Sequence, residues 1–428
     1  MIKFFASALR HVGPAFVVGA CIIGPGSVTL MSRTGALYGY SLLWLAILSG
    51  ALMAGFIALF MRFGVYSEAD TTVFGVVAAK LGRPFAVLCG LSLFLMCATF
   101  QFGNCLGVSA SLGTLIPTIP RAMWPAVFTV AAIVFMFSLK RIYGIIEKLM
   151  MFLLLLMLLA FLVNLLWARP SIAGIVAGAC IPTIPSGVDW VTVGGLVATT
   201  FAIVAAMFQP YLVKAKGWTE KDLNNATLDT VLASVTYTLI GCVIMITAAA
   251  VLHPHTTIDS AAAMASQLQG AFGAQAKVVF CIGLCAAAFS SFIIASLIGG
   301  VLLNDGLGFG GRLESIPTKI FASFVLLVGM ATSMSIILLS SGSSGLGPAE
   351  TQIEVKAIAV AQAVTMLAVP MATVATVVVL LDRQAVKGRS LRLWVKVFIL
   401  FGSAVLLGIA FIMYLKVRPE LAALLGLG

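Results

Sequence analysis

The sequence predicts an all-α, polytopic membrane protein with about eleven transmembrane helices, and three observations support this class. Of the 428 residues, 61% are hydrophobic and only 9% are charged, whereas a soluble chain would carry roughly a quarter charged residues. Eleven apolar runs reach the length of about 20 residues that a helix needs to cross a bilayer. Lysine and arginine collect in alternate loops between these runs. The composition therefore excludes an ordinary soluble fold.

The predicted spans follow one another along the whole chain. Their bounds are residues 12–34, 40–62, 85–115, 122–139, 146–167, 190–213, 228–252, 277–303, 318–339, 356–381 and 394–415. Residues 253–276 predict a polar loop with a short amphipathic helix, and residues 340–347 predict a Gly/Ser-rich loop. The N-terminal residues lack the pattern of a cleavable signal peptide and run directly into the first span.

Basic residues determine the predicted orientation. With the N-terminus in the cytoplasm, 18 Lys and Arg residues fall on the inside and 7 on the outside, which accounts for all 25. The positive-inside rule then predicts a multi-pass protein of the plasma or inner membrane with its C-terminus outside. The net charge of +11 is part of this topology signal. It suggests contact with anionic lipid and calls for no nucleic-acid partner.

The eleven spans divide into units of five, five and one. The predicted units are residues 1–168, residues 169–384, and residues 385–428 with the last span and the C-terminal tail. Because five is odd, two successive five-helix units must insert with opposite orientations. This inverted repeat is typical of secondary transporters.

Two spans carry residues that interrupt a helix. Residues 24–27 (Gly-Pro-Gly-Ser) lie within span one, where proline removes a backbone donor and glycine adds chain entropy. Backbone groups freed inside a bilayer must find protein, water or ligand partners, so a break predicts a binding site at the membrane midplane. Residues 207–210 (Met-Phe-Gln-Pro) predict a matching break in span six. The alternative is that Pro210 only kinks that helix.

These motifs resemble the Nramp family of proton-coupled divalent-metal transporters, which have the LeuT fold. Residues 23–27 and 35–44 are similar to the family's Asp-Pro-Gly-Asn and to its Gly-(Ala)-x-Tyr-Gly-Tyr-x-Leu-Leu-Trp run. Residues 209–212, 283–291 and 361–370 resemble the motifs of helices six, eight and ten. The resemblance covers nearly the whole chain and implies the LeuT fold, with helices one and six broken at the midplane.

The resemblance also shows where this chain departs from the family. The family's metal-binding Asp, Asn and Met, its two helix-six His and its two helix-three acids correspond here to Gly24, Ser27, Ala206, Phe208, Val213, Gln101 and Asn104. Only Gln362 in span ten keeps its family identity. Because amide side chains do not titrate near neutral pH, we expect transport without proton coupling.

The predicted substrate site consists of residues beside the two breaks and on span ten. They are Gly24, Gly26, Ser27, Ala206, Met207, Phe208, Gln209 and Gln362, with Gln101 and Asn104 on the former proton path. Exposed N–H groups at the start of a half-helix favour an anionic group, and Phe100 and Phe102 could add apolar walls. The main hypothesis is therefore a secondary transporter, working by alternating access, for a small neutral, zwitterionic or anionic organic solute.

Two other classes remain open. A divalent-cation transporter with an altered site is the alternative, because Mg²⁺ keeps several of its waters and is less excluded than Mn²⁺ from a neutral site. A non-transporting sensor or scaffold is the third class. A membrane enzyme is not expected, because the spans contain no nucleophile–base pair, and the eight scattered cysteines suggest neither disulfides nor a metal cluster. We expect a monomer in the lipid bilayer, with no cofactor.

Overall fold

Helices form every regular element in the residues that the structure describes. The computed structural model describes residues 23–137, 156, 158–254, 258, 260–341, 348–384, 386, 388 and 391–424. The α-helices are α1 (Pro25–Tyr38), α2 (Leu43–Tyr66), α3 (Val73–Leu81), α4 (Arg83–Leu115), α5 (Met123–Phe137), α6 (Leu158–Ala168), α7 (Ile172–Cys180), α8 (Trp190–Thr200), α9 (Ile203–Ala215), α10 (Leu223–Val251), α11 (Ala261–Ser266), α12 (Gln269–Phe272), α13 (Ala276–Leu307), α14 (Ile316–Ser341), α15 (Pro348–Val364), α16 (Val369–Leu381) and α17 (Leu393–Leu424).

Eight spans in this part of the chain are long and apolar enough to cross a membrane. They are Leu43–Tyr66, Arg83–Leu115, Trp190–Ala215, Glu220–Val251, Gln269–Leu307, Ile316–Leu339, Val355–Leu381 and Leu393–Lys416. The pair α6 and α7, bent by 118°, would make a ninth. The predicted all-α membrane fold is confirmed, and eight of the eleven predicted spans are found directly.

The remaining three predicted spans are only partly comparable. Span one is described from residue 23 onward, and half of span five, residues 146–155 and 157, lies outside the described residues. Span four is present as α5, which has 15 residues and is shorter than a full crossing. The predicted polar loop at residues 253–276 does contain short helices, α11 and α12, and residues 342–347 lie outside the described part.

Small residues allow the central helices to pack closely. The contact between α4 and α13 is the most extensive of those between described helices. A Cβ atom on Gly90 of α4 would lie 3.1 Å from the Cα atom of Gly306 in α13. Close approach of this kind, through glycine, is a common way for membrane helices to associate. Helix α14 packs against both members of the pair, so α4, α13 and α14 form a compact block beside the broken helices.

Span six is interrupted, as predicted, but the interruption is not at the predicted residues. Pro210 lies inside α9, and the helix is instead interrupted before α9, at Phe201 and Ala202. The ψ angles of these two residues are +70° and +79°, far from the value of about −42° in an α-helix. The hydroxyl of Tyr237 on α10 donates to the carbonyl oxygen of Thr200 at the break. This bond replaces part of the lost helical bonding, as a break inside a bilayer requires.

The start of α1 coincides with the predicted first break. Gly24 is the residue before the helix, with an extended backbone at φ −108° and ψ 179°, and Pro25 is the first helical residue. Gly107 of α4 makes room for this start, because a Cβ atom on Gly107 would lie 2.2 Å from Cβ of Pro25. The half of span one before the break lies outside the described residues.

Candidate functional site

The beginning of α1 lies against α4 and α13. A Cβ atom on Gly24 would lie 3.0 Å from Oδ1 of Asn104 and 3.1 Å from Oγ of Ser291. Both neighbouring side chains are buried. The predicted break residue Gly24 and the predicted proton-path residue Asn104 are therefore brought together, at the point where the α1 backbone is not helical.

Gln362 lies on the other side of the same helix start. A Cβ atom on Gly26 would lie 2.6 Å from Nε2 of Gln362, and one on Gly103 of α4 would lie 2.7 Å from the same nitrogen. The Gln362 side chain is therefore held between two glycines, on α1 and α4. It is 1% exposed, and its Oε1 has no hydrogen-bond partner. Gln362 and Gly26 are therefore direct neighbours.

The two amides on the former proton path form a hydrogen-bonded chain between α4 and α13. Gln101 Nε2 donates to the carbonyl oxygen of Phe292 at 3.0 Å. Asn104 Nδ2 lies 2.6 Å from Oε1 of Gln101 and 3.0 Å from Oγ of Ser291. All of these groups are neutral. The chain links two helices of the compact block, and it contains no side chain that exchanges a proton near neutral pH.

The substrate-site residues predicted for span six lie consecutively on α9, after the break rather than in it. Ala206, Met207, Phe208 and Gln209 are each at most 1% exposed. Neither the Oε1 nor the Nε2 atom of Gln209 has a hydrogen-bond partner. Leaving a buried polar group unpaired costs about 1–3 kcal/mol. Gln209 is therefore the side chain on α9 with the clearest need for a ligand or water.

The three phenylalanines considered as apolar walls of the site lie in three different packing environments. The ring of Phe208 stacks on Tyr211, with centroids 6.4 Å apart. Phe102 packs in a small apolar cluster with Leu106 and Ile358, and Phe100 packs against the main core. These contacts account for Phe100 and Phe102 as helix packing.

The site is electrically neutral in the described residues. Gly24, Gly26, Gln101, Asn104 and Gln362 contribute no charge, and half-buried Ser27 has a neutral hydroxyl. Within the described ranges, no group of three or more His, Cys, Asp or Glu side chains could hold a metal ion. Backbone groups at the two breaks and amide side chains are therefore the polar groups available to a substrate.

The sequence assigns no site role to Ser291 or to Tyr237. Ser291 accepts the Asn104 hydrogen bond, and Tyr237 supports the helix-six break. Ser291 could have been found from the Ser-Ser pair that ends the span-eight motif. Nothing in the local sequence of α10 indicates a role for Tyr237, because its partner is 37 residues away in the chain.

Long apolar helices, with breaks beside buried amides that lack partners, define a membrane transporter of the broken-helix class. The particular family follows from comparison with known proteins. The chain belongs to the Nramp family, because the model for natural resistance-associated macrophage protein-like proteins matches residues 15–416. The resemblance seen in the sequence is thereby confirmed, and relatives in this family are transporters rather than enzymes.

Curated relatives agree with this assignment. The divalent metal cation transporter MntH of Klebsiella pneumoniae (strain 342) is 26% identical over 345 residues, which cover 78% of this chain and 83% of the relative. MntH of Yersinia pestis (strain Pestoides F) is 24% identical over the same shares of both chains.

Solved structures show the same fold. A crystal structure of the Eremococcus coleocola manganese transporter, in complex with an aromatic bis-isothiourea substituted compound, has a TM-score of 0.80 at 15% identity, covering 97% of this chain and 88% of that chain. MhsT in complex with L-phenylalanine has a TM-score of 0.55 at 16% identity, covering 94% and 98%. The predicted LeuT-type fold is confirmed, with a much closer match to the manganese transporter.

Proposed function

We propose that this chain carries a divalent metal cation by alternating access, through an altered and neutral site that suits a partly hydrated, hard ion such as Mg²⁺. The site consists of the start of α1, the first turns of α9, and Gln362 on α15. The division into units 1–168, 169–384 and 385–428, and the N-terminus in the cytoplasm, are parts of the same proposal.

The observation that carries the proposal is the set of unpaired amide atoms. Gln209 and Gln362 are fully buried, and the Oε1 atom of each lacks a hydrogen-bond partner. Each lies on a helix that flanks a break or packs on one. Buried polar groups are nearly always satisfied in native proteins, so unsatisfied ones need an explanation. A cation, or the water around it, would supply the missing interactions.

The chemistry of these groups selects among metals. Amide and backbone carbonyl oxygens are hard ligands that suit Mg²⁺ and Ca²⁺, whereas thioether, imidazole and thiolate favour softer transition metals. A bare divalent ion in a neutral, low-dielectric site lacks charge compensation. An ion that keeps several of its waters, as Mg²⁺ does, avoids most of this desolvation.

The relatives support a metal cargo over an organic solute. The curated relatives are named as divalent metal cation transporters, and the structure with a TM-score of 0.80 is that of a manganese transporter. The structure of MhsT in complex with L-phenylalanine has a TM-score of only 0.55. The sequence-based preference for an organic solute is therefore replaced here by its alternative.

Mg²⁺ binding to the purified protein in lipid nanodiscs is the direct test. Titration calorimetry and thermal stability are expected to show saturable Mg²⁺ binding. Gln209→Leu and Gln362→Leu should each weaken binding by about tenfold or more, because each removes a polar partner of an ion, worth roughly 1.5–3 kcal/mol. Gln275→Leu is the matched control, since Gln275 lies exposed at the end of the short 3-10 helix Gly273–Gln275, just before α13.

A panel of Mn²⁺, Ca²⁺ and small organic solutes completes the experiment. The proposal is overturned if divalent ions do not bind, or if Gln275→Leu weakens binding as much as the two buried substitutions do. Stabilisation by an organic solute alone would restore the sequence-based hypothesis.

Transport is expected to proceed without proton coupling. The two amides that replace the family's helix-three acids cannot take up a proton near neutral pH. In proteoliposomes with an internal pH dye, Mg²⁺ influx should leave the internal pH unchanged, and a protonophore that collapses a pH gradient should not abolish uptake. Acidification that rises with the amount of ion transported would contradict this expectation.

A further inference from the structure

A buried carboxylate joins three helical elements some distance along α13 from the candidate site. Asp305, near the C-terminal end of α13, is 2% exposed. Its Oδ1 accepts a hydrogen bond from Oγ1 of Thr72 at 2.6 Å. Its Oδ2 accepts from the backbone N of Phe74 at 2.9 Å and from the hydroxyl of Tyr211 at 2.6 Å. One carboxylate thus ties α13 to the start of α3 and to α9.

A lysine strengthens the connection between α9 and the segment before α3. The Lys214 ammonium donates to the carbonyl oxygens of Glu68, at 2.7 Å, and of Thr71. Hydrogen bonds with a charged partner are stronger than those between neutral groups. The end of α9 is therefore bound to residues 68–72 by Lys214 and to α13 by Tyr211. We call the contacts among Asp305, Tyr211, Thr72 and Lys214 the Asp305 latch.

A cavity of about 470 Å³ lies next to the latch, on the face predicted to be cytoplasmic. Tyr211, Thr72 and Lys214 line it together with Gly311 and Glu314. The loop after α13 closes against the tyrosine, because a Cβ atom on Gly311 would lie 2.4 Å from Cε1 of the Tyr211 ring. Three latch side chains, those of Thr72, Tyr211 and Lys214, thus form part of the cavity wall.

The latch contacts the part of span six that follows the break. Helix α9 follows the break at Phe201 and Ala202, where the backbone that joins it to α8 is not helical. Gln209 and Tyr211 lie within one turn of α9. A displacement of α9 relative to α13 would therefore have to break the hydrogen bond from Tyr211 to Asp305.

We propose that the Asp305 latch is a gate that closes the predicted cytoplasmic side of the site and opens once in each transport cycle. Asp305 and Tyr211 act as positioning residues that hold α9 in the closed arrangement. This inference rests on the proposed alternating-access function, but it concerns conformation and does not depend on the identity of the substrate.

The rate at which a native cysteine is chemically modified measures whether the latch is closed. Cys89 of α4 lies near Tyr211 and is 0% exposed. In the full chain in nanodiscs, a small maleimide should modify Cys89 slowly, as followed by peptide mass spectrometry. Tyr211→Phe removes the hydrogen bond to Asp305 and keeps the ring, so it should raise the Cys89 modification rate at least about tenfold. Asp305→Asn should act in the same direction.

Two controls separate opening of the gate from loosening of the fold. Cys105 on the same helix is also 0% exposed and lies about 24 Å further along α4, so its modification rate should not change. Tyr38→Phe alters a tyrosine that accepts from Asp189 N at the other end of the bundle, and it should leave Cys89 protected.

The proposal is overturned if Tyr211→Phe leaves Cys89 as protected as in the unsubstituted protein, or if Cys89 and Cys105 become reactive in parallel. Because no substrate is added, a rise at Cys89 together with absent metal binding would support the latch and reject only the proposed cargo.

Discussion

Gly24→Asp is expected to raise the affinity for Mn²⁺ at least about a hundredfold, because one carboxylate would supply the negative charge that the site lacks. The backbone at Gly24, with φ −108° and ψ 179°, is extended and accepts any L-amino acid. The added side chain would meet polar neighbours, Oδ1 of Asn104 at 3.0 Å and Oγ of Ser291 at 3.1 Å from its Cβ.

The same substitution should make stability depend on the metal. A buried carboxylate without a partner destabilises the folded state, so the melting temperature should fall without metal and recover with Mn²⁺ by mass action. Titration calorimetry in nanodiscs measures the affinity. Gly24→Asn is the control, because it is nearly the same size and carries no charge. Equal Mn²⁺ affinity of the Asp and Asn variants would show that charge is not what the site lacks.

Gly26→Leu is expected to reduce substrate uptake by at least about tenfold. A Cβ atom on Gly26 would lie 2.6 Å from Nε2 and 2.8 Å from Cδ of Gln362, so a leucine must displace this side chain from the site. Overpacking of a well-filled interior typically costs about 1–3 kcal/mol as well. Metal flux into proteoliposomes measures the loss.

Gly408→Leu is the matched control for this experiment. Gly408 lies on α17, and a Cβ atom there would meet no heavy atom within 4 Å. Uptake by the Gly408 variant should equal that of the unsubstituted protein. If the Gly26→Leu and Gly408→Leu variants both transport the metal as fast as the unsubstituted protein, the start of α1 does not line the transport site.

Most of the helices could be predicted because the bilayer imposes one length and one composition on every span. Apolar runs at residues 40–62 and 85–115 correspond to Leu43–Tyr66 and Arg83–Leu115. Differences of a few residues arise where a helix continues beyond the apolar run into polar surroundings. The hydropathy of the sequence indicates which residues lie in the hydrocarbon core of the bilayer. Capping and tertiary contacts determine where each helix begins and ends.

The position of the helix-six break could not be predicted from local sequence. Pro210 is tolerated inside α9, as prolines in membrane helices often are when neighbours satisfy the freed carbonyl. The real break, at Phe201 and Ala202, contains neither glycine nor proline. It is supported by Tyr237 from another helix, which is a tertiary effect. Motif position therefore identified the correct span but not the correct residue.

The candidate site was partly predictable for a similar reason. The i, i+3 spacing of Gln101 and Asn104 places them on one helix face, and the structure shows both pointing to α13. The position of Gln362 between Gly26 and Gly103 depends on how α15 packs against α1 and α4. Such packing is set by the whole bundle, so residue spacing along one helix cannot reveal it.

The neutrality of the site has an energetic consequence for the whole cell. If no acidic side chain and no counter-moving proton offset the cargo, each divalent ion carries two positive charges across the membrane, and transport is electrogenic. A potential of 100 mV supplies about 2.3 kcal/mol per charge, hence about 4.6 kcal/mol per ion. With the inside of the membrane negative, this driving force alone would sustain an ion concentration roughly two thousand times higher inside than outside.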